Sequence, residues 1–213
     1  MRGLFITFEG IEGCGKTTQI RILDDYLKAR GHTTILTREP GGTAIGEKIR
    51  QVLLNAQHKE MRPLTELLLY AAGRCQHIHQ IILPSLENGK IVLCDRYSDA
   101  TDAYQGEARG IDKKFLKTIH ELATENLKPN LTLLLDCPVE IGLRRTQERE
   151  SEMVGQTNLD RFEKEAKDFH ERVRQGYLKI ARAEPQRVKV VDAMSDVQTI
   201  HEKIVEEVMR ILQ

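Results

Sequence analysis

Apolar residues along this chain alternate between two spacings, and the alternation outlines an α/β protein. Leu4-Phe5-Ile6-Thr7-Phe8-Glu9 is a short apolar run of strand type. From Thr18 to Leu27 the apolar positions Ile22, Leu23, Tyr26 and Leu27 recur at helical spacing. Thr33–Thr37 reads as a second strand, entered through Gly31, and Ile45–Leu54 as a helix. Arg62–Glu87 is long helical material that Pro84 is expected to kink or break. Lys90–Cys94 is a third strand, apolar enough to be buried on both faces. Helices are predicted at Ser98–Tyr104 and Asp112–Asn126, the second N-capped by Asp112. Leu131–Asp136 and Val188–Val191 are the fourth and fifth strands, and Val197–Leu212 is a closing helix. Strands separated by helices predict a parallel sheet covered on both sides. The expected architecture is one three-layer α/β domain over residues 1–213, without repeats or linkers.

Composition narrows the setting. Lys+Arg and Asp+Glu are both 32, so no net charge draws the chain toward nucleic acid or a membrane surface. The apolar runs are too short to span a bilayer, and Met1-Arg2-Gly3 leaves no room for a signal peptide before the first strand. Cys14, Cys75, Cys94 and Cys137 show no C-x-x-C spacing, which predicts reduced thiols in a cytoplasmic protein. His77 and His79 lack companions for a metal site and are expected on a solvated helix face.

The chemistry begins where the first strand ends. Gly10-Ile11-Glu12-Gly13-Cys14-Gly15-Lys16-Thr17 matches G-x-x-x-x-G-K-[ST], with a strand before it and a helix after it. Such a P-loop turns backbone N–H groups and a helix N-terminus toward phosphate oxygens. Lys16 is expected to neutralise the β- and γ-phosphates, and the Thr17 hydroxyl to ligate Mg²⁺. The motif alone leaves GTPases, ATPase motors and small-molecule kinases open. A GTP-binding switch calls for N-K-x-D and D-x-x-G, and neither occurs in the required place. Arg38-Glu39-Pro40-Gly41-Gly42-Thr43 leaves the second strand and Asp95-Arg96-Tyr97 the third. Arginines on one rim of an open α/β sheet suit a second anionic group facing the nucleotide phosphates.

These segments, taken in order, resemble the bacterial thymidylate kinases, which phosphorylate dTMP with ATP to give dTDP in dTTP biosynthesis. The resemblance runs through F-E-G-x-E-G-x-G-K-T-T, T-R-E-P-G-G-T, the Y-A-A-x-R helix at Tyr70–Arg74, D-R-Y, A-Y-Q-G at Ala103–Gly106, A-R-G-I-D at Ala108–Asp112 and D-R-F-E at Asp160–Glu163. It implies a P-loop kinase fold with a lid over about residues 144–160, ATP as phosphoryl donor with Mg²⁺, and a homodimer. It also implies that Gly10, Ile11, Glu12, Gly13, Cys14, Gly15, Lys16, Thr17 and Thr18 hold ATP, with Thr17 and Asp95 toward the metal. The dTMP site then falls on Glu12, Arg38, Glu39, Pro40, Arg50, Tyr70, Arg74, Arg96, Thr101, Tyr104 and Gln105. Tyr70 stacks on thymine, Arg74 donates to the base O4, and Thr101 and Gln105 address the N3 edge. Arg38 and Arg96 hold the phosphate, Glu12 reaches the 3′-OH, and Tyr104 crowds the place of a 2′-OH. Kinases for uridylate or guanylate share the reaction but are not expected to combine Tyr70-x-x-x-Arg74 with Tyr104-Gln105.

Phosphoryl transfer is mainly positioning and charge neutralisation, and a phosphate dianion needs no strong general base. The resemblance makes Lys16 and Arg96 catalytic, together with an arginine from the lid. Gly13 and Cys14 stand where some family members carry a P-loop arginine, so this charge must come from elsewhere. Arg145 and Arg149 are the candidates, with Arg161 in support, and the sequence leaves the choice among them open.

Overall fold

The computed structural model describes residues 3–152, 161–162 and 165–212. Within them the sheet has five parallel strands in the order β2-β3-β1-β4-β5. The strands are β1 (Phe5–Glu9), β2 (Thr34–Arg38), β3 (Ile91–Asp95), β4 (Leu131–Asp136) and β5 (Val188–Asp192). The three inner strands are the most apolar, as burial on both faces requires. β1 is central: Ile6 pairs with Leu93 on one side and Leu131 on the other. Its side chains alternate between the two faces. Ile6 and Phe8 join the cluster that holds Ile20, Leu23 and Leu27, whereas Phe5 packs with Ile78, Ile82 and Tyr97. The edge strands β2 and β5 alternate buried with exposed positions, which suits strands covered less completely.

The helices are α1 (Lys16–Lys28), α2 (Ala44–Leu54), α3 (Pro63–His77), α4 (Leu83–Glu87), α5 (Ser98–Thr101), α6 (Lys113–Thr124), α7 (Val139–Glu152), α8 (Lys167–Ala183) and α9 (Val197–Leu212). Asp112 caps α6, accepting from the N–H groups of Lys114 and Phe115 at 2.9 and 3.1 Å. The helical run expected over residues 62–87 forms; of the kink or break expected at Pro84, the break does not occur. A π-helical turn, Ile78–Ile82, joins α3 to α4, and the Leu83 N–H reaches back five residues to the Ile78 carbonyl. Pro84 lies in the first turn of α4, where its missing N–H costs little. A second π-helical stretch, Asp102–Ala108, carries the helix expected to end at Tyr104 four residues further. α6 stops at Thr124, two residues short of the expectation, because Glu125 and Asn126 adopt φ of 48° and 62°. The pattern reading assigned no element to α8, yet Phe169, Val173, Tyr177 and Ala181 are buried along it at a spacing of four.

This wiring places the site. β1 connects toward β2 and β4 toward β5, so the chain diverges at the C-terminal ends of β1 and β4 and leaves a crevice above the sheet. The loop between β1 and α1 fills one side of it. Arg38 and Asp95 end β2 and β3 on the same rim.

Candidate active site

At Gly13 the loop after β1 sits so close to Gly142 of α7 that a side chain has no room there. Gly13 has φ +70°, and a Cβ there would lie 2.0 Å from the Gly142 carbonyl oxygen. An arginine at this position is therefore excluded by space as well as by conformation. Lys16 opens α1 and folds under the loop, its Nζ donating to the carbonyls of Ile11 at 2.9 Å and Gly10 at 3.1 Å. The Thr17 hydroxyl donates to Asp95 Oδ2 at 3.3 Å, which brings the ends of two strands' worth of chain to one point. The surrounding cleft is lined by these residues and by Arg38, Glu47, Arg50, Arg96 and Arg145.

A second pocket lies beside this cleft and shares Glu12, Glu39, Arg50 and Arg96 with it. Tyr70, Arg74, Tyr97, Thr101, Tyr104, Gln105 and Phe162 complete its wall. Arg74 is 2 % exposed and each guanidinium nitrogen has a partner: Nε donates to Glu39 Oε2 at 2.7 Å, Nη1 to the Thr101 hydroxyl and Nη2 to the Tyr97 carbonyl, both at 3.0 Å. Burial opposes charge on Glu39, but Arg74 and His77 outweigh it and hold the carboxyl below its ordinary range. The Gln105 amide donates to the buried Glu66 at 2.7 Å.

At the junction of the two cavities Arg96 adopts φ +71°, a left-handed conformation uncommon outside glycine. Its guanidinium donates to Glu12 Oε1 at 2.9 Å and to the Tyr177 hydroxyl at 3.0 Å. The Tyr104 hydroxyl donates to Glu12 at 2.7 Å, and its ring stacks edge-on with Phe162, Phe169 and Tyr177. Burial opposes ionisation of Glu12, yet Arg96, His170, Lys16 and Tyr104 together hold its carboxyl far below the usual range. Beneath them Glu9 is wholly buried and accepts from the Tyr97 N–H and the Tyr177 hydroxyl, both at 2.7 Å. Burial and the nearby Asp99 charge push the Glu9 carboxyl up to about 8, against the opposing pull of Arg96 and those two bonds.

A phosphate loop opening onto a second, partly enclosed pocket lined by arginines and tyrosines is an arrangement that suits a nucleotide kinase, and comparison with known proteins specifies the family. The family model for thymidylate kinase matches residues 8–204. Over 208 residues the chain is 51% identical to the thymidylate kinase of Pelobacter propionicus, covering 98% of this chain and 94% of that protein. It is 53% identical over 196 residues to that of Geotalea uraniireducens, covering 92% of each. The crystal structure of thymidylate kinase from Ehrlichia chaffeensis superposes with a TM-score of 0.77 at 33% identity, covering 100% of both chains. This chain belongs to the thymidylate kinase family.

Against the family pattern, most of the expected residues converge. Glu12, Glu39, Pro40, Arg50, Tyr70, Arg74, Arg96, Thr101, Tyr104 and Gln105 line the closed pocket, while Lys16, Thr17, Thr18, Arg38, Asp95 and Arg145 line the cleft. Arg161 stands apart from the cleft: its guanidinium meets Glu66 at 2.5 Å and donates to the Leu53 carbonyl at 3.0 Å. Arg144 is exposed beside Glu148. The side chain of Arg149 and residues 153–160 of the expected lid lie outside the described residues. His77 corrects the expectation of a solvated face, being 0% exposed, whereas His79 is exposed. The sequence reading also passed over Glu66, His170 and Tyr177, which contact the expected site residues Gln105, Glu12 and Arg96, and Glu9, which bonds Tyr177 and the Tyr97 N–H. Only α8's four-residue apolar spacing could have marked Tyr177 in advance.

Proposed function

We propose that this protein transfers the γ-phosphoryl of ATP to dTMP, giving dTDP and ADP. The observation that supports this most directly is the shared wall: a base-sized pocket and a phosphate cleft meet at Glu12, Glu39, Arg50 and Arg96. A nucleotide with its base on Arg74 thereby presents its phosphate to Arg96, facing the loop. Lys16 turns from the Gly10 and Ile11 carbonyls to the ATP phosphates and neutralises charge there. Arg96 binds the acceptor phosphate, held from behind by Tyr177. Glu12, kept ionised, accepts from the 3′-OH, and Tyr104 closes the space of a 2′-OH.

Thr17 and Asp95 offer hard oxygen donors at one point of the cleft, the donor type that suits Mg²⁺. Bound there with the phosphates, Mg²⁺ supplies charge neutralisation of the transferring group. Arg145 is the lid arginine that best fits the remaining role, because it lines the cleft and its guanidinium donates at 3.3 Å only to the Ala193 carbonyl among the hydrogen bonds described for it. Arg149 lies one helical turn further along α7.

The test is ADP release from Mg-ATP with each nucleoside monophosphate in turn. dTMP is expected to be the preferred acceptor, and faster turnover of UMP, CMP or GMP would sink the reading. We also propose a cytoplasmic homodimer. Ile45 and Val52 on α2, Leu64 and Leu68 on α3, and Phe115 and Leu122 on α6 form exposed apolar rows on helices that pack side by side. A monomeric sedimentation mass at micromolar concentration would count against it. Among the described residues no helix is long and apolar enough to cross a membrane.

A further inference from the structure

His77 lines neither cavity, yet it is a fully buried ionisable side chain directly behind the base pocket. Its ring lies between two anchors. Nδ1 is 3.0 Å from Glu39 Oε1, and Nε2 is 2.6 Å from the Thr37 hydroxyl. The Glu39 carboxylate is acceptor-only, so Nδ1 donates to it and the Thr37 hydroxyl pairs with Nε2. Glu39 thus divides its two oxygens between two donors: Oε1 takes His77 and Oε2 takes Arg74 Nε at 2.7 Å. Space is reserved for this arrangement, since a Cβ on Gly42 would lie 2.7 Å from the His77 ring and from the Thr37 hydroxyl oxygen.

We propose that His77 is a positioning residue for nucleobase choice, acting through Glu39 to fix the plane in which Arg74 presents its guanidinium to the base. The inference rests on the reading of Arg74 as the base contact. Its physical basis is the preference of arginine and carboxylate for a two-bond fork. Here that fork is not made: His77 donates to Oε1, Arg74 gives Glu39 only Nε, and Nη1 and Nη2 go to Thr101 and the Tyr97 carbonyl. Arg74 and both of those partners line the pocket. Without His77, Oε1 is a buried acceptor with no donor, an unfavourable state that rotation of the carboxylate into a fork with Arg74 relieves. The rotation draws Nη2 off the Tyr97 carbonyl and turns the guanidinium away from an O4 acceptor. Thymine, which offers an acceptor there, loses a bond. Cytosine, which offers a donor amino group, loses nothing.

The experiment compares dTMP with dCMP at saturating Mg-ATP in the full-length protein, for His77→Leu, His77→Asn, Thr37→Val and Arg74→Ala. His77→Leu is expected to lower kcat/KM for dTMP about 10- to 100-fold, mainly through KM, with dCMP and the KM for ATP changed less than about twofold. The preference ratio therefore falls by the same factor, a readout that loosened packing would not move. His77→Asn, whose amide nitrogen sits on the same carbon as Nδ1, is expected to restore most of the ratio. Thr37→Val, which should fold even if His77→Leu does not, is expected to lower the ratio about threefold. An equal loss for both nucleotides in His77→Leu, or an unchanged ratio in both His77→Leu and Thr37→Val, overturns the inference while a lowered ratio in Arg74→Ala leaves the base contact standing. An unchanged ratio in Arg74→Ala overturns the base contact and this inference together.

Discussion

The base pocket and the phosphate cleft use the same residue types in opposite ways. In the pocket, Arg74 is 2 % exposed and meets Glu39, Thr101 and Tyr97, each fixed in turn by the fold. In the cleft, Arg38 pairs with Glu47 at 3.0 Å, but the two side chains are 52% and 42% exposed. Arg145 touches a loop carbonyl, and Lys16 touches carbonyls of its own loop. A buried pair is costly to break, about 3–5 kcal/mol when one partner is removed. An exposed pair contributes about 0–1 kcal/mol and yields to a stronger anion. Arg74, proposed to meet the base, is locked in advance, so that binding would lose little to reorganisation. Arg38 and Arg145, proposed for the phosphates, hold weaker partners that a phosphate dianion would replace, whereas Arg96 between them and the base pocket is held by Glu12 and Tyr177.

That contrast is most severely tested on the cleft side of α7. Arg145→Ala is expected to lower kcat by about 10³- to 10⁵-fold with a much smaller change in KM, because its charge acts mainly in the transition state. Arg144→Ala, on the exposed side, should stay near wild type. Near-normal kcat in Arg145→Ala moves the role to Arg149, and near-normal kcat in both variants removes the lid arginine from the account.

Lys16→Ala comes next, with an expected loss of about 10²- to 10³-fold in kcat and an unchanged circular dichroism spectrum. Retention of more than about a tenth of wild-type turnover would deny Lys16 its place on the phosphates.

The comparison itself is sharpened by pairing Arg74→Ala with Arg38→Ala in urea unfolding. Arg74→Ala should destabilise the fold by about 3–5 kcal/mol and blunt the preference for dTMP over dCMP. Arg38→Ala should change stability by less than about 1 kcal/mol while raising the KM for dTMP. Similar stability losses in the two variants would show that the regions are not held differently.

The smallest effect concerns Glu9, the buried carboxyl behind Arg96. Burial and the Asp99 charge push its carboxyl up to about 8, above the ordinary 4.5. Between those values the folded state holds more protons than the unfolded one, so the contribution of Glu9 is full below about pH 4.5 and is lost as pH rises through about 8. Stability should therefore fall toward alkaline pH, with a slope approaching about 1.4 kcal/mol per pH unit from this group alone. Glu9→Gln, which cannot ionise, should flatten that fall between about pH 4.5 and 8. An identical slope in wild type and variant would mean that Glu9 does not titrate there.

How much of this was legible beforehand differs by the range of the signal. The P-loop, the arginines after β2 and β3, and the Asp112 cap are local patterns, each readable within a few consecutive residues. The Pro84 break failed because a π-helical turn absorbs the missing N–H, and no residue at that point advertises the turn. α8 failed for another reason: its apolar spacing is present, but it is interleaved with charges and follows a segment that reads as lid. With α8 unassigned, Tyr177 and His170 had no place near Arg96 and Glu12.

The sequence by itself determined the α/β order, the phosphate loop and, through its motifs, the family. Those features depend on contacts between near neighbours, where residue type dictates conformation. Only the tertiary structure decided that Tyr177, itself bonded to Glu9, accepts from Arg96, and that His77 is buried between Thr37 and Glu39. Their partners lie 168, 81 and 38 to 40 positions away in the chain. A buried polar group is bound to find a partner, but which one is set by the packing of strands and helices around it.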